Sequence, residues 1–326
     1  MALKVEVYQK EKVRPCTPTP QTLRNYKLSL IDIILSIFYV PMVFFYDSRA
    51  GGRHHDYDEL KDSLMKTLSI LYPLAGRMKD GSTTIECNDE GADFVRANVT
   101  NCDLGEFLRH PKLEDIRRLL PLHPYPNAID PAQPMLAVQM NRFRCGGTAV
   151  AFCIWHGLVD ASAMMGLFNT LAAINRGEGP INPGGLIVDT SPIFRPGNLV
   201  RSPLMPFSLN NRGKYSSKRF VFGKQDIERL RNNYYHPSEH RRRPSRVEAL
   251  SAFIWAAGEN EGSEGETYPI DYDSRLRLRF LGDEGGNVSD CDKGGNVEGG
   301  NVSDCDKGGN VSDCDKGGNP LIMVVD

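Results

Sequence analysis

The strongest hydrophobic pattern in the chain lies in residues 148–155 (TAVAFCIW). These residues are small, β-branched or aromatic at every position, which predicts a strand buried on both faces. The apolar run stops at His156, and Gly157 permits a sharp turn. His156 is therefore predicted at the carboxyl end of a buried strand, a common position for an active-site group in a layered α/β protein.

A helix is predicted immediately after this turn. Asp160 or Ser162 can cap its first turn, and Gly177 ends the pattern. Its apolar positions recur at helical spacing: Met164, Leu167, Phe168, Leu171 and Ile174.

Alternation and helical periodicity predict further elements on both sides of this segment. Strands are predicted at residues 4–8, 42–46, 83–87, 92–97, 135–143 and 218–222, and helices at residues 58–71, 225–234 and 245–257. Ser245 and Glu248 have the spacing of a capping box. Residues 28–46 are predicted to form a buried turn or short helix leading into the strand at 42–46. Asp32 is predicted to bond to nearby backbone, in preference to contacting a substrate. Proline-punctuated residues 104–134 are predicted as a surface connection.

The pattern divides the chain into a first domain, a connection and a partial second domain. These are residues 1–195, a crossover loop at 196–215, and residues 216–284. Residues 285–319 contain three copies of the nonapeptide GGNVSDCDK, beginning at Gly285, Gly299 and Gly308. This tract has too little apolar surface to offset its ordering entropy, which predicts disorder. Residues 320–326 are predicted as a short strand.

Composition excludes several classes of protein. The 326 residues have a net charge of -2, which argues against nucleic acid as the main partner. The most apolar run, residues 31–46, is interrupted by Pro41 and is too short to span a bilayer. The 8 cysteines do not suggest a disulfide framework. We therefore expect a cytoplasmic protein that does not contact a membrane. We also expect it to be a monomer.

The residues that could carry chemistry are few. His156 can exchange a proton with a hydroxyl or amine near neutral pH, although a core histidine at a strand end is nearly as good an interpretation. Asp160 is better interpreted as a helix cap than as a charge partner of His156. No metal site is expected, because neither the histidine pairs at 54–55 and at 236 and 240 nor the Asp-Cys-Asp units of the repeat offer a convincing ligand set.

The sequence HGLVD at residues 156–160 resembles the HxxxD signature of the BAHD acyl-CoA-dependent acyltransferases of plant specialised metabolism. Other stretches that resemble this family occur in the family's order: RPCTPTPQTLRNYKLSLID, LKDSLMKTLSILYPLAGRM, IECNDEGADFVRANV and SRVEALSAFIWAA. The resemblance covers roughly residues 1–257 and is closest to the vinorine-synthase-like branch of acetyltransferases. It implies a chloramphenicol-acetyltransferase-like α/β fold of two domains, with the first near complete and the second truncated.

The resemblance also implies roles for individual residues. His156 would be the general base, Gly157 would leave room for the reacting groups, and Asp160 would pair with Arg275 or Arg277. Ser245 and Arg246 would face the phosphates of coenzyme A. The substrates implied are an acyl-CoA, with acetyl-CoA favoured, and a small alcohol or amine such as an alkaloid, terpenoid or phenolic; no metal is implied.

The Asp-Phe-Gly-Trp-Gly motif of the family's second domain does not occur in this sequence. Two alternatives to an acyltransferase therefore stay open. One is a catalytically inactive, truncated relative that binds a ligand or partner. The other is a thioester hydrolase in which His156 activates water.

Overall fold

A computed structural model describes residues 2–35, 38–47, 56–79, 83–126, 130, 132–179, 190–196, 222–235 and 242–259. Within these residues the chain forms two compact units, residues 2–196 and residues 222–259. The predicted crossover loop lies outside the described residues, apart from Pro196. Arg275 and the GGNVSDCDK repeat also lie outside them, as does the strand predicted at 320–326.

The first unit is built on two sheets. Its strands in chain order are β1 (Val5–Val13), β2 (Asn25–Lys27), β3 (Tyr39–Tyr46), β4 (Arg77–Met78), β5 (Thr84–Glu86), β6 (Ala92–Val99), β7 (Leu136–Phe143) and β8 (Thr148–Trp155). The larger sheet has the order β1-β6-β7-β8-β3 and the smaller one the order β2-β5-β4. Strands β6 and β7 are parallel, and the other neighbours in the larger sheet are antiparallel. Strand β8 is interior and all 8 of its residues are buried, which confirms the strand predicted at 148–155.

Helices cover both faces of the larger sheet. Those of the first unit are α1 (Leu30–Leu35), α2 (Tyr57–Ile70), α3 (Leu104–Arg109), α4 (Leu113–Arg118) and α5 (Ala161–Asn175), with short 3₁₀ helices at Gln21–Leu23 and Tyr72–Ala75. On one face, Val150, Phe152 and Ile154 of β8 share a core with leucines of α2 and α5. On the other face, Ala149 packs with α3 and α4, while Cys153 and Trp155 pack with residues of the smaller sheet. The alternation of β8 thus places its side chains in cores on both faces.

Three predictions for the first unit need correction. The surface connection predicted at residues 104–134 is wrong for residues 104–119, because Leu104 and Phe107 of α3, Ile116 of α4 and the following Leu119 are buried. The strand predicted at 42–46 begins at Tyr39 and includes Pro41, which is tolerated because β3 is an edge strand. The opening strand continues to Val13 rather than ending at residue 8.

The second unit contains α6 (Lys224–Asn233) and α7 (Arg246–Glu259) within its described residues, which confirms the helices predicted at 225–234 and 245–257. Leu230, Ala249 and Phe253 form its buried core. Residues 218–221 of the predicted strand lie outside the described residues. No helix in the described part of the chain is long and apolar enough to cross a bilayer.

Candidate active site

His156 directly follows the last residue of β8 and is held by the neighbouring strand. The pairing of Tyr39 with Trp155 brings Phe38 opposite His156, and the backbone N–H of His156 donates to the carbonyl oxygen of Phe38 over 3.1 Å. The two rings are perpendicular, with centroids 4.9 Å apart and an interplanar angle of 78°. This edge-to-face arrangement is a favourable aromatic geometry and limits rotation of the imidazole.

One ring nitrogen of the imidazole lacks a hydrogen-bond partner within the described part of the chain. The side chain is half-buried, and Nδ1 is buried without a hydrogen-bond partner. A neutral imidazole has one nitrogen that donates and one that accepts. No described residue therefore fixes the tautomer of the ring through Nδ1.

Gly157 lies in the turn that connects β8 to α5. It is buried, and the backbone N–H of Leu158 closes the turn by donating to the carbonyl of Trp155 over 3.1 Å. Among the described glycines, the left-handed region of φ is adopted by Gly91, Gly146 and Gly177. Gly157 does not adopt it. The turn therefore does not require glycine for its backbone angle, and the proposed role of leaving room for reacting groups stays a prediction.

Asp160 caps helix α5. Its carboxylate oxygen Oδ1 accepts from the backbone N–H of Ala163 over 2.7 Å, and its carbonyl accepts from Met164 over 2.9 Å. This confirms the interpretation of Asp160 as a cap, in preference to Ser162. Asp160 is exposed and makes no ion pair within the described part of the chain. Its predicted partners, Arg275 and Arg277, lie outside that part.

Ser245 and Arg246 belong to the second unit. The predicted capping box is confirmed, because the backbone N–H of Ser245 donates to the Glu248 carboxylate over 2.7 Å and the Glu248 N–H donates to Ser245 Oγ over 3.2 Å. The guanidinium of Arg242, together with these bonds from Ser245, lowers the pKa of Glu248 to about 2. Ser245 is thus engaged in capping α7, whereas Arg246 is exposed.

The residues predicted to act together divide between the two units. His156, Gly157 and Asp160 share one strand-to-helix connection, while Ser245 and Arg246 lie on another unit. Phe38 was missed, because its position beside His156 depends on pairing between distant strands. Among the described residues no group of three His, Cys, Asp or Glu side chains could hold a metal ion; the histidines and repeat cysteines considered from sequence lie outside them.

A mixed α/β unit with a histidine at the carboxyl end of a buried interior strand agrees with the resemblance seen in the sequence. The model of the Transferase family matches residues 3–276. The chain belongs to this family, the BAHD acyltransferases, and has its chloramphenicol-acetyltransferase-like fold.

Individual relatives of the chain include acetyltransferases from plants. It is 36% identical to (13S,14R)-1,13-dihydroxy-N-methylcanadine 13-O-acetyltransferase AT1 of Papaver somniferum, over 85% of this chain and 62% of that protein. It is 31% identical to limonoid 21-O-acetyltransferase of Melia azedarach, over 85% of this chain and 64% of that protein. The crystal structure of vinorine synthase is similar at a TM-score of 0.59 and 30% identity, over 77% of this chain and 59% of that chain. The chain thus matches less than two thirds of the length of these relatives.

Proposed function

We propose that this chain transfers an acyl group from acyl-CoA to a hydroxyl group of a small plant specialised metabolite, with His156 as the general base. The observation that carries the proposal is the half-buried imidazole at the end of β8. Phe38 packs against this ring, and its Nδ1 has no hydrogen-bond partner among the residues that the structure describes. Such a group is positioned to exchange a proton with a bound substrate.

In the proposed reaction, His156 removes the proton from the acceptor hydroxyl as its oxygen attacks the carbonyl carbon of the thioester. A tetrahedral intermediate forms and then collapses, breaking the carbon–sulfur bond. The protonated imidazole returns the proton to the leaving thiolate of coenzyme A. General base catalysis of this kind contributes a factor of roughly 10²–10⁴ to the rate.

The names of the relatives support an acetyl group as the acyl group and an alkaloid or terpenoid alcohol as the acceptor. Arg246 would contact a phosphate of coenzyme A, because it is exposed while Ser245 is used in the capping box. We place the activity in the cytoplasm and assign it no metal.

The direct test is release of coenzyme A from acetyl-CoA by the full chain, with and without a panel of alkaloid and terpenoid alcohols. We expect acceptor-dependent release that falls by roughly 10²-fold or more in His156→Ala. The matched control is His110→Ala, which removes an exposed histidine at the end of α3. Full activity in His156→Ala would contradict the proposal.

The same measurement separates the alternatives. Release of coenzyme A without an acceptor indicates a thioester hydrolase. Saturable binding of acetyl-CoA by calorimetry, with no turnover of any acceptor, favours the inactive relative that only binds a ligand.

A further inference from the structure

A second group of polar side chains lies on the sheet face that α2 covers, far from His156. It consists of Tyr8, Tyr57, Arg96 and Arg142, hereafter called the tyrosine–arginine cluster. Arg142 pairs with the first residue of β8, whereas His156 follows the last of its 8 residues. At roughly 3.3 Å per residue, the two positions are about 26 Å apart along the strand.

A β-bulge directs Tyr8 into this cluster. The pairing of β1 with β6 shifts register between Val7 and Gln9, so Tyr8 is an extra residue in the ladder. Its ring meets that of Tyr57 edge-on, with centroids 6.3 Å apart and an interplanar angle of 88°. Bulges re-aim side chains in this way and are over-represented beside functional sites.

The cluster contains buried donors without acceptors. Tyr57 is 7% exposed, and its buried hydroxyl, which has the Tyr8 side chain as a neighbour, has no close hydrogen-bond partner among the described residues. Nε of Arg96 is likewise buried without a hydrogen-bond partner among the described residues. Burial raises the pKa of Tyr57 well above its usual value, so the phenol stays protonated and remains a donor. Buried donors without partners are rare in native proteins and call for an explanation, such as a bound group.

The cluster also has a surplus positive charge. The guanidinium carbons of Arg96 and Arg142 lie 5.0 and 5.5 Å from the centre of the Tyr57 ring. Arg96 is neutralised by Asp58 at 2.8 Å and Glu11 at 3.3 Å, and Lys61 also pairs with Glu11. Arg142 is exposed and has no ion pair or hydrogen bond within the described residues. It therefore supplies a cation that no nearby carboxylate balances.

We propose that the tyrosine–arginine cluster binds a small oxyanion with the chemistry of a phosphate group. The guanidinium nitrogens of Arg96 and Arg142 can only donate, and the phenol of Tyr57 stays protonated, so a ligand rich in acceptor oxygens satisfies these groups together. Arg142 provides charge-assisted hydrogen bonds to two oxygens, and the hydroxyls of Tyr57 and Tyr8 donate to the others. The site is separate from His156 and does not depend on the proposed acyl transfer.

The first test is a calorimetric titration of the full chain with inorganic phosphate. Saturable binding is expected, with affinity at least tenfold weaker in Arg142→Gln. Arg144→Gln is the matched control, because it removes an exposed arginine two residues away that pairs with Asp103. Absence of saturable binding, or equal weakening in both variants, overturns the proposal.

The second test uses Tyr57→Phe, which removes the hydroxyl that lacks a partner. Phosphate affinity should fall several-fold, while the melting temperature without phosphate stays the same or rises. Unchanged phosphate affinity in Tyr57→Phe would mean that the hydroxyl binds only water, and would overturn the proposal.

Two further titrations define the ligand. In the first, glucose 6-phosphate is compared with inorganic phosphate. If it binds more tightly and its binding also depends on Arg142, the ligand is a phosphate monoester and the site is supported. Acetate binding as tightly as phosphate overturns the assignment to phosphate chemistry. His156→Ala should bind phosphate like the unmodified chain, and a loss in that variant contradicts a separate site.

Discussion

Asp160 contributes to the stability of α5 through a single hydrogen bond that can be removed. Its Oδ1 accepts from the backbone N–H of Ala163, which otherwise has no partner in the first turn. Replacement by alanine is expected to lower the free energy of unfolding by about 1 kcal/mol, the usual contribution of such a cap. Urea unfolding measures this change, and an unchanged midpoint would contradict the assigned role.

Asp160→Asn separates the cap from the charge. Asparagine also accepts the Ala163 hydrogen bond, so this variant should retain nearly the full stability. A loss as large as that of Asp160→Ala would instead show that the carboxylate charge matters. That result would favour the ion pair with Arg275 that the family resemblance implies.

Helix α2 packs on the larger sheet through buried leucine side chains. Leu68 is 0% exposed within the core that also contains α5 and β8. Leu68→Ala should lower the free energy of unfolding by about 2–5 kcal/mol, because the surrounding core cannot collapse fully into the cavity. Leu23→Ala is the control, since Leu23 is 40% exposed and should change stability much less. Similar losses in both variants would contradict this view of the core.

The start of α7 offers a test of whether Ser245 contacts coenzyme A. Aspartate is as good a cap as serine, so Ser245→Asp should leave the chain folded. If Ser245 faces a phosphate, the added negative charge should raise the KM for acetyl-CoA at least tenfold. If Ser245 only caps α7, the KM should not change. We expect the second outcome, because both polar groups of Ser245 already bond Glu248.

Long helices and strands were predicted from the sequence more successfully than short ones. Strand β8 and helix α5 have complete apolar patterns over 8 and 15 residues, and both were predicted. Helices α3 and α4 have 6 residues each, too few for a helical period to emerge from windows of about 11–18 residues. Nearby prolines also favoured an irregular connection. Only the packing of Leu104 and Ile116 against the sheet identifies these residues as core.

In the candidate site, residues that are neighbours in sequence were predicted, and contacts between distant strands were not. His156, Gly157 and Asp160 follow one another along the chain, so a local pattern was sufficient to select them. The contact of Phe38 with His156 requires β3 to pair with β8, which are more than a hundred residues apart. Tyr8 joins Tyr57 through a bulge that its alternating sequence does not reveal. Contacts that depend on strand register could not be predicted without the structure.

At the scale of the whole first unit, the two sheets meet in a core that contains ionisable groups. Tyr39 and Cys153 come from the larger sheet, and Cys87 follows β5 of the smaller one. Burial raises the pKa of Cys87 and Cys153 from 9.0 to about 12, and it also raises the pKa of Tyr39. All three groups therefore remain neutral in the folded chain at a pH where they begin to ionise in the unfolded chain.

This difference predicts loss of stability at alkaline pH. A group whose pKa is higher in the folded chain than in the unfolded chain contributes stability at pH values below its unfolded pKa. This contribution is lost as the pH rises towards its folded pKa. Between about pH 9 and pH 12, each buried thiol should lower the free energy of unfolding by about 1.4 kcal/mol per pH unit. Urea unfolding from pH 8 to pH 11, in the presence of a reductant, measures the slope.

Replacing Cys87 and Cys153 together by alanine should make the slope shallower, whereas Cys16→Ala, at an exposed cysteine, should leave it unchanged. An equal slope in all three proteins would mean that the core between the sheets admits water before the thiols ionise.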